Sequence, residues 1–276
     1  MHSDLIFDIG MHLAEDTEFY LKKGFRVVAI EADPAYCANA AARFASEIAE
    51  GRLVVVNKAI AEASGTISFY RSLHNSAWGT LYPEWMERNR KLGGEKVERI
   101  DVQAVRMEEI YSTFGIPYYL KVDIEGADIL CLKALRNEVS RPKYLSIESD
   151  KVTLRAIGQE LSLMSELGYD RFKLVPQHLV PNQRPPEPSL EGLFVDHNFT
   201  VGASGLFGEE APGVWVDQQT ALRRYLPIFF RYRVVGDDPI NGLVKRVAAR
   251  LGLRAGWYDT HAKLGSSKAD RASGAA

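Results

Sequence analysis

The stretch FDIGMHLAED, residues 7–16, lies between an apolar run and a segment of helical period. That is where a doubly wound α/β fold places its nucleotide-binding glycine loop. It holds one glycine, Gly10. A dinucleotide loop needs a second glycine two positions later, so that backbone amides can touch a pyrophosphate, and His12 stands there instead. The stretch therefore reads as a strand-to-helix turn without a tight phosphate cradle, and an NAD site is disfavoured.

Outward from it, short apolar runs alternate with helical periods, the pattern of parallel strands buried on both faces and joined by crossover helices. DLIFD (4–8) precedes a helix ending near Gly24. RVVAIE (26–31) precedes one starting at Pro34, in which Tyr36, Ala40, Phe44 and Ile48 recur every fourth residue and which Gly51 stops. Asp33 before Pro34 has the form of an N-cap followed by proline at the first helical position. RLVVVN (52–57), YYLKVD (118–123), KYLSIE (143–148) and YDRFKLV (169–175) continue the series, with Leu154, Ile157, Leu161 and Met164 on one helical face and Gly168 at its end. The expected architecture is an α/β, Rossmann-like, mostly parallel sheet over residues 1–180. Residues 65–105 interrupt it as a β-structured, aromatic insertion, long enough for substrate recognition. Residues 181–264 read as a loop and helical extension, with DQQTALRRYLPIFFRYRV and NGLVKRVAARLG helical, and 265–276 as a disordered tail.

In such a sheet, ligands collect at the carboxyl ends of the strands. Here four predicted strands end in a carboxylate, Asp8, Glu31, Asp123 and Glu148, and a fifth ends in Asn57. One acid at a strand end can merely cap the next helix. Four on one edge repel unless a positive group or hydrogen-bond donors sit among them. Glu31, 21 residues after Gly10, is placed to accept both hydroxyls of an unphosphorylated ribose. The edge thus suits an adenosine-type ligand without phosphates. S-adenosylmethionine is one: its ammonium and sulfonium charges favour an acidic rim, and its carboxylate can use amides at a helix start.

FDIGMHLAEDT followed by VVAIEADP, with YLKVDIEGAD about ninety residues later and then YLSIE, resembles the FkbM-type methyltransferases over roughly residues 4–175. Their motifs have the form D-x-G-x-N-x-G-x-x-T and L-K-x-D-x-E-G. The resemblance implies a class I S-adenosylmethionine-dependent methyltransferase on a seven-stranded sheet, acting on a hydroxyl of a sugar or natural product. Residue by residue it assigns Asp8, Gly10 and Thr17 to the cofactor loop and Glu31 to the ribose. Lys121, Asp123, Glu125 and Gly126 fall on the motif after the fourth strand, and Met11, His12, Ala32 and Asn57 flank the same ligand. His12 replaces the family's usual asparagine and Ala14 its usual glycine. Alanine would cost about 1 kcal/mol at a position with φ > 0, so position 14 is expected to be already helical.

An alcohol acceptor must lose a proton as the new bond forms. Asp123 or Glu125 is the expected base, with Glu148 and His12 as second choices; Lys121 shares a strand face with Asp123 and can neutralise it. Glu125 can equally cap the next helix, and His12 can be a plain loop residue. Carboxylates this close could hold Mg²⁺ with the acceptor, but no dense ligand motif demands it, and no metal is predicted. Trp78, Tyr82 and Trp85, with His74, Asn75, Ser76 and Thr80, could face a sugar or polyketide, or pack a core. The glycines of GASGLFGEEAPG would permit a lid carrying Glu209 and Glu210, although a solvated loop is the plainer reading.

The balance of 34 Lys+Arg against 36 Asp+Glu, net −2, gives no pull toward nucleic acid or anionic membrane. The latest apolar run, YLPIFFRYRVV, is short and broken by Arg231 and Arg233. Cys37 and Cys131, in separate predicted helices, read as buried thiols of a reducing, cytoplasmic compartment. The apolar C-terminal helices are a candidate homo-oligomer interface. An N-methyltransferase of the same family, or a non-catalytic protein binding a nucleoside, are the competing readings.

Overall fold

The computed structural model describes residues 1–73, 79–84, 86–87, 96–124, 126–149, 153–235 and 256–265. Glu125, His74, Asn75, Ser76, Trp78 and Trp85, the predicted helix NGLVKRVAARLG and the predicted tail from 266 onward lie outside the described residues.

The expected alternation is observed. β1 (His2–Ile9), α1 (Glu15–Lys22), β2 (Arg26–Glu31), α2 (Pro34–Arg43), α3 (Ala45–Ala49) and β3 (Leu53–Asn57) form the first half. After a small β unit come α4 (Met107–Phe114), β7 (Pro117–Val122), α5 (Asp128–Ala134), β8 (Tyr144–Glu148), α6 (Leu154–Glu166) and β9 (Tyr169–Pro176). A long helix, α7 (Gln218–Val235), and a final strand, β10 (Tyr258–Leu264), complete the chain. The sheet has seven strands in the order β3-β2-β1-β7-β8-β10-β9, parallel except that β10 runs antiparallel to both neighbours. The strand order reverses between β1 and β7, so the edge above those two strands is where a ligand crevice opens.

The small unit is a second sheet, β4 (Ala59–Ile60), β6 (Val97–Val105) and β5 (Gly65–Ser72) in that order, of which β5 and β6 fall in the predicted insertion. Asp33 caps α2 as expected, accepting from the Ala35 amide, with Pro34 at the first helical position. The single helix expected from Pro34 to Gly51 is instead two, broken at Phe44, whose ring is buried while Ile48 faces solvent. Cys37 and Cys131 are free and buried.

Alternation along the strands sorts the two faces. Leu5, Phe7 and Ile9 pack with α4, α5 and α6, whereas Ile6 packs with α1, Tyr119, Tyr144, Phe199 and Phe207. On that second face, register places Asp8, Lys121, Ser146, His261 and Lys173 side by side across five strands. All five are buried, beneath residues of the segment read as an extension. Two expectations for that segment are corrected. It supplies the strand β10, where loops and helices alone were expected. GASGLFGEEAPG is no solvated loop or lid carrying acids to a substrate: Glu210 is buried against the Lys23 ammonium at 3.0 Å, and Glu209 accepts from Tyr144, Trp215 and Lys263.

Candidate active site

The turn after β1 sets the site. Gly10 has φ +81°, and a β-carbon there would sit 1.9 Å from the Asp123 carbonyl oxygen. Only glycine serves, because the turns after β1 and β7 touch at this point. The Gly10 and Met11 amides donate to the Ile30 carbonyl, and the Asp123 amide to Ile9, tying three strand ends together. His12 and Ala14 both have positive φ, 52° and 62°. The expectation that position 14 is helical is therefore corrected: Ala14 is the left-handed N-cap of α1 and carries the strain a glycine would avoid.

Beneath this turn Asp8 is fully buried, accepting from the Thr17 hydroxyl at 2.6 Å and paired with Lys121 at 3.0 Å. Lys121 also donates to the Gly10 carbonyl at 2.8 Å and lies 3.9 Å from Asp16. Burial alone would lower the Lys121 pKa, but Asp8, Asp123 and Asp16 hold it well above the usual lysine range. It stays charged and is the positive group that the acidic edge requires. Its ion-pair partners are Asp8 and Asp16, so it does more than neutralise Asp123.

Glu31 is 8% exposed, with one carboxylate oxygen accepting from the His12 amide (2.9 Å) and the other from Asp33 (2.8 Å). Burial raises its pKa, and those two amides pull it back. Each oxygen keeps a second lone pair, which is what a ribose diol needs. Asn57 donates to the Glu31 and Ala32 carbonyls and so fixes the strand end.

The cleft above is open to solvent. Of the predicted site residues, Gly10, Met11, His12, Glu31, Ala32, Lys121 and Asp123 line it. Asp8, Thr17 and Asn57 stand behind its wall as supports. Glu148, half-buried, is paired in register with Asp259 of β10, away from the lining. Sequence reasoning missed Asp16, Arg71 and Phe69, which do line it. Arg71 reaches from the second sheet to Asp33 (3.2 Å) and Glu98 (2.7 Å). Asp16 could have been found only as the one acid of the quoted turn beside Thr17; its partner, Ser204, lies 188 residues away.

His12 stacks edge-on against Tyr36 at 5.0 Å, and burial lowers its pKa, leaving it neutral near pH 7. Its Nε2 is buried with no hydrogen-bond partner among the described residues. Asp128 accepts from the Ile124 and Gly126 amides, and burial, with Asp123 and Glu148 nearby, pushes its carboxyl up to about 7. Among the described residues no group of three or more His, Cys, Asp or Glu comes together to hold a metal ion, and no helix is long and apolar enough to cross a membrane.

The model of the methyltransferase FkbM domain matches residues 8–171. The chain belongs to the FkbM methyltransferases. It is an enzyme that transfers methyl groups, and S-adenosylmethionine is its donor. The residues present fit that donor: a carboxylate held with free lone pairs for a ribose, and a cleft that gathers Asp16, Glu31, Asp33 and Asp123. A comparison with curated proteins gave no match. Among solved structures, StiE O-MT is 12% identical over 97% of this chain and 70% of that one, with a TM-score of 0.40. Precorrin-6y C5,15-methyltransferase from Geobacter metallireducens is 14% identical over 72% and 77%, with a TM-score of 0.35. A SAM-dependent methyltransferase from Geobacter sulfurreducens, in complex with S-adenosyl-L-homocysteine, is 12% identical over 96% and 85%, with a TM-score of 0.35. The FkbM assignment rests on the domain match.

Proposed function

We propose that this FkbM methyltransferase methylates a hydroxyl of a sugar or natural-product acceptor, with Asp123 as general base. When bound, the cofactor supplies an electrophilic methyl group on a cationic sulfur. The chain's part is to hold the ribose at Glu31, align the acceptor, exclude water and take one proton. Met11, His12 and Ala32 would border the ribose, while Lys121 fixes the Gly10 carbonyl and sets a positive charge near Asp123. The Asp123 carboxylate would take the acceptor's hydroxyl proton as the methyl group is transferred. Phe69, Thr80 and Leu81, on the wall from the second sheet, offer an aromatic and hydroxyl-bearing surface to such an acceptor.

The observation that carries this reading is the placement of Asp123 and Lys121 in one cleft with the amide-held Glu31. A second reading is favoured by the unpartnered Nε2 of neutral His12, which could take the proton instead. The test is turnover against panels of hydroxylated and amino acceptors, with S-adenosylhomocysteine affinity measured separately. Asp123→Asn is expected to lower kcat by about 10²-fold or more while changing that affinity little. Loss of kcat in His12→Gln but not in Asp123→Asn makes His12 the base. Loss in neither refutes both, and turnover confined to amines refutes the hydroxyl acceptor.

A further inference from the structure

We propose that Asp16 is a positioning residue that latches residues 199–207 of the C-terminal segment onto the cofactor cleft, making that segment part of the methyl-transfer site. The proposal rests on the methyltransferase reading above. Both carboxylate oxygens of Asp16 accept from the Ser204 amide, at 2.9 Å each, and the Asp16 side chain is 5% exposed. The same carboxylate stands 3.9 Å from Lys121, which holds the Gly10 carbonyl. One side chain thus joins the cofactor turn, the central lysine and a segment nearly two hundred residues distant.

The segment is anchored on either side of that latch. Phe199 packs edge-on against Phe19 of α1 at 4.8 Å, and Phe207 stacks on Tyr119 at 4.6 Å. Between Phe199 and Ser204 the chain rises into solvent at Thr200, Val201 and Gly202, and Gly202 lines the cleft with Met11 and His12. Gly205, at φ +85°, turns the chain where a β-carbon would meet the Gln183 side-chain oxygen Oε1 at 2.5 Å. The tip therefore shares the lining of the cleft with Arg71, where an acceptor would enter. A purely structural link would stabilise the fold without answering to the ligand.

Hydrogen exchange of peptides covering 199–207, with and without S-adenosylhomocysteine, and calorimetric affinity for that product distinguish the two. In the wild type the product should slow exchange in this segment. Asp16→Ala should speed it roughly tenfold or more and weaken product binding about three- to tenfold, with β7 and β8 unchanged. Asp16→Asn, which keeps an oxygen for the Ser204 amide, should restore most of the protection. Should Asp16→Ala fail to fold, the wild-type comparison and Asp16→Asn decide alone. Exchange in 199–207 that ignores both the product and Asp16, or loosening that leaves product affinity untouched, overturns this inference. A wild type that binds no product overturns the methyltransferase reading itself.

Discussion

Ala14 holds a left-handed backbone conformation that costs an L-residue about 1–2 kcal/mol, and its methyl group is buried. Ala14→Gly should therefore raise stability by about 1 kcal/mol, a Tm gain of roughly 2–4 °C in a chain of this size, read by a thermal melt. An unchanged or lower Tm would mean that the buried methyl outweighs the strain. Asp16 offers a second residue-level prediction. Burial, aided by Asp8, pushes its carboxyl up to about 7, against the pull of Lys121 and the Ser204 amide. The unfolded chain releases this proton near 3.8, so between about 4 and 7 the folded state binds more protons, and stability falls as pH rises. Asp16→Asn escapes that loss, so its Tm relative to wild type should climb from pH 5 to pH 7.5. A difference independent of pH contradicts the shift. At this scale the sequence carries residue types and spacings: Gly10, Glu31, Lys121 and Asp123 were found that way. It does not carry φ at Ala14 or a partner 188 residues distant, because both arise only when distant segments meet.

The parallel strands were legible as elements because their apolar runs stand out, and all six, β1, β2, β3, β7, β8 and β9, matched to within two residues at either end. β10 was not. Its sequence, YDTHAKL, alternates Asp259, His261 and Lys263 and reads as surface. In the fold Asp259 and His261 are buried on the face that the chain from 177 to 216 covers, and Thr260, on the other face, is buried against Tyr225 of α7 and Ser149. The break in the second predicted helix has a similar cause, since a buried Phe44 beside an exposed Ile48 ends the regular four-residue period. The docking of the covering segment depends on Lys23, whose ammonium meets both oxygens of Glu210, the Ser189 hydroxyl and the Leu193 carbonyl, with both charged side chains fully buried. Lys23→Met leaves the buried Glu210 without its counter-ion, held only by the Ser189 hydroxyl and the Leu190 and Glu191 amides, and should cost about 3–5 kcal/mol in urea unfolding. A cost below about 1 kcal/mol would show that the segment docks through its aromatic residues alone.

Across the whole molecule, near-neutral composition conceals a strong local asymmetry. Asp8, Asp16, Glu31, Asp33 and Asp123 converge at the point where strand order reverses, with Lys121, Arg71 and a few amides to hold them. Burying so much like charge is costly, and a cationic ligand lodged there offsets that cost. The family and its donor follow from the domain match, while the roles of Glu31 and Asp123 are proposed. The most direct measurement is isothermal calorimetry of S-adenosylmethionine and S-adenosylhomocysteine on the full chain, wild type beside Glu31→Ala. The account predicts saturable binding of both by the wild type, weakened about tenfold or more when the Glu31 carboxylate is removed. No heat from the wild type, or equal affinity in the Glu31→Ala variant, would contradict it.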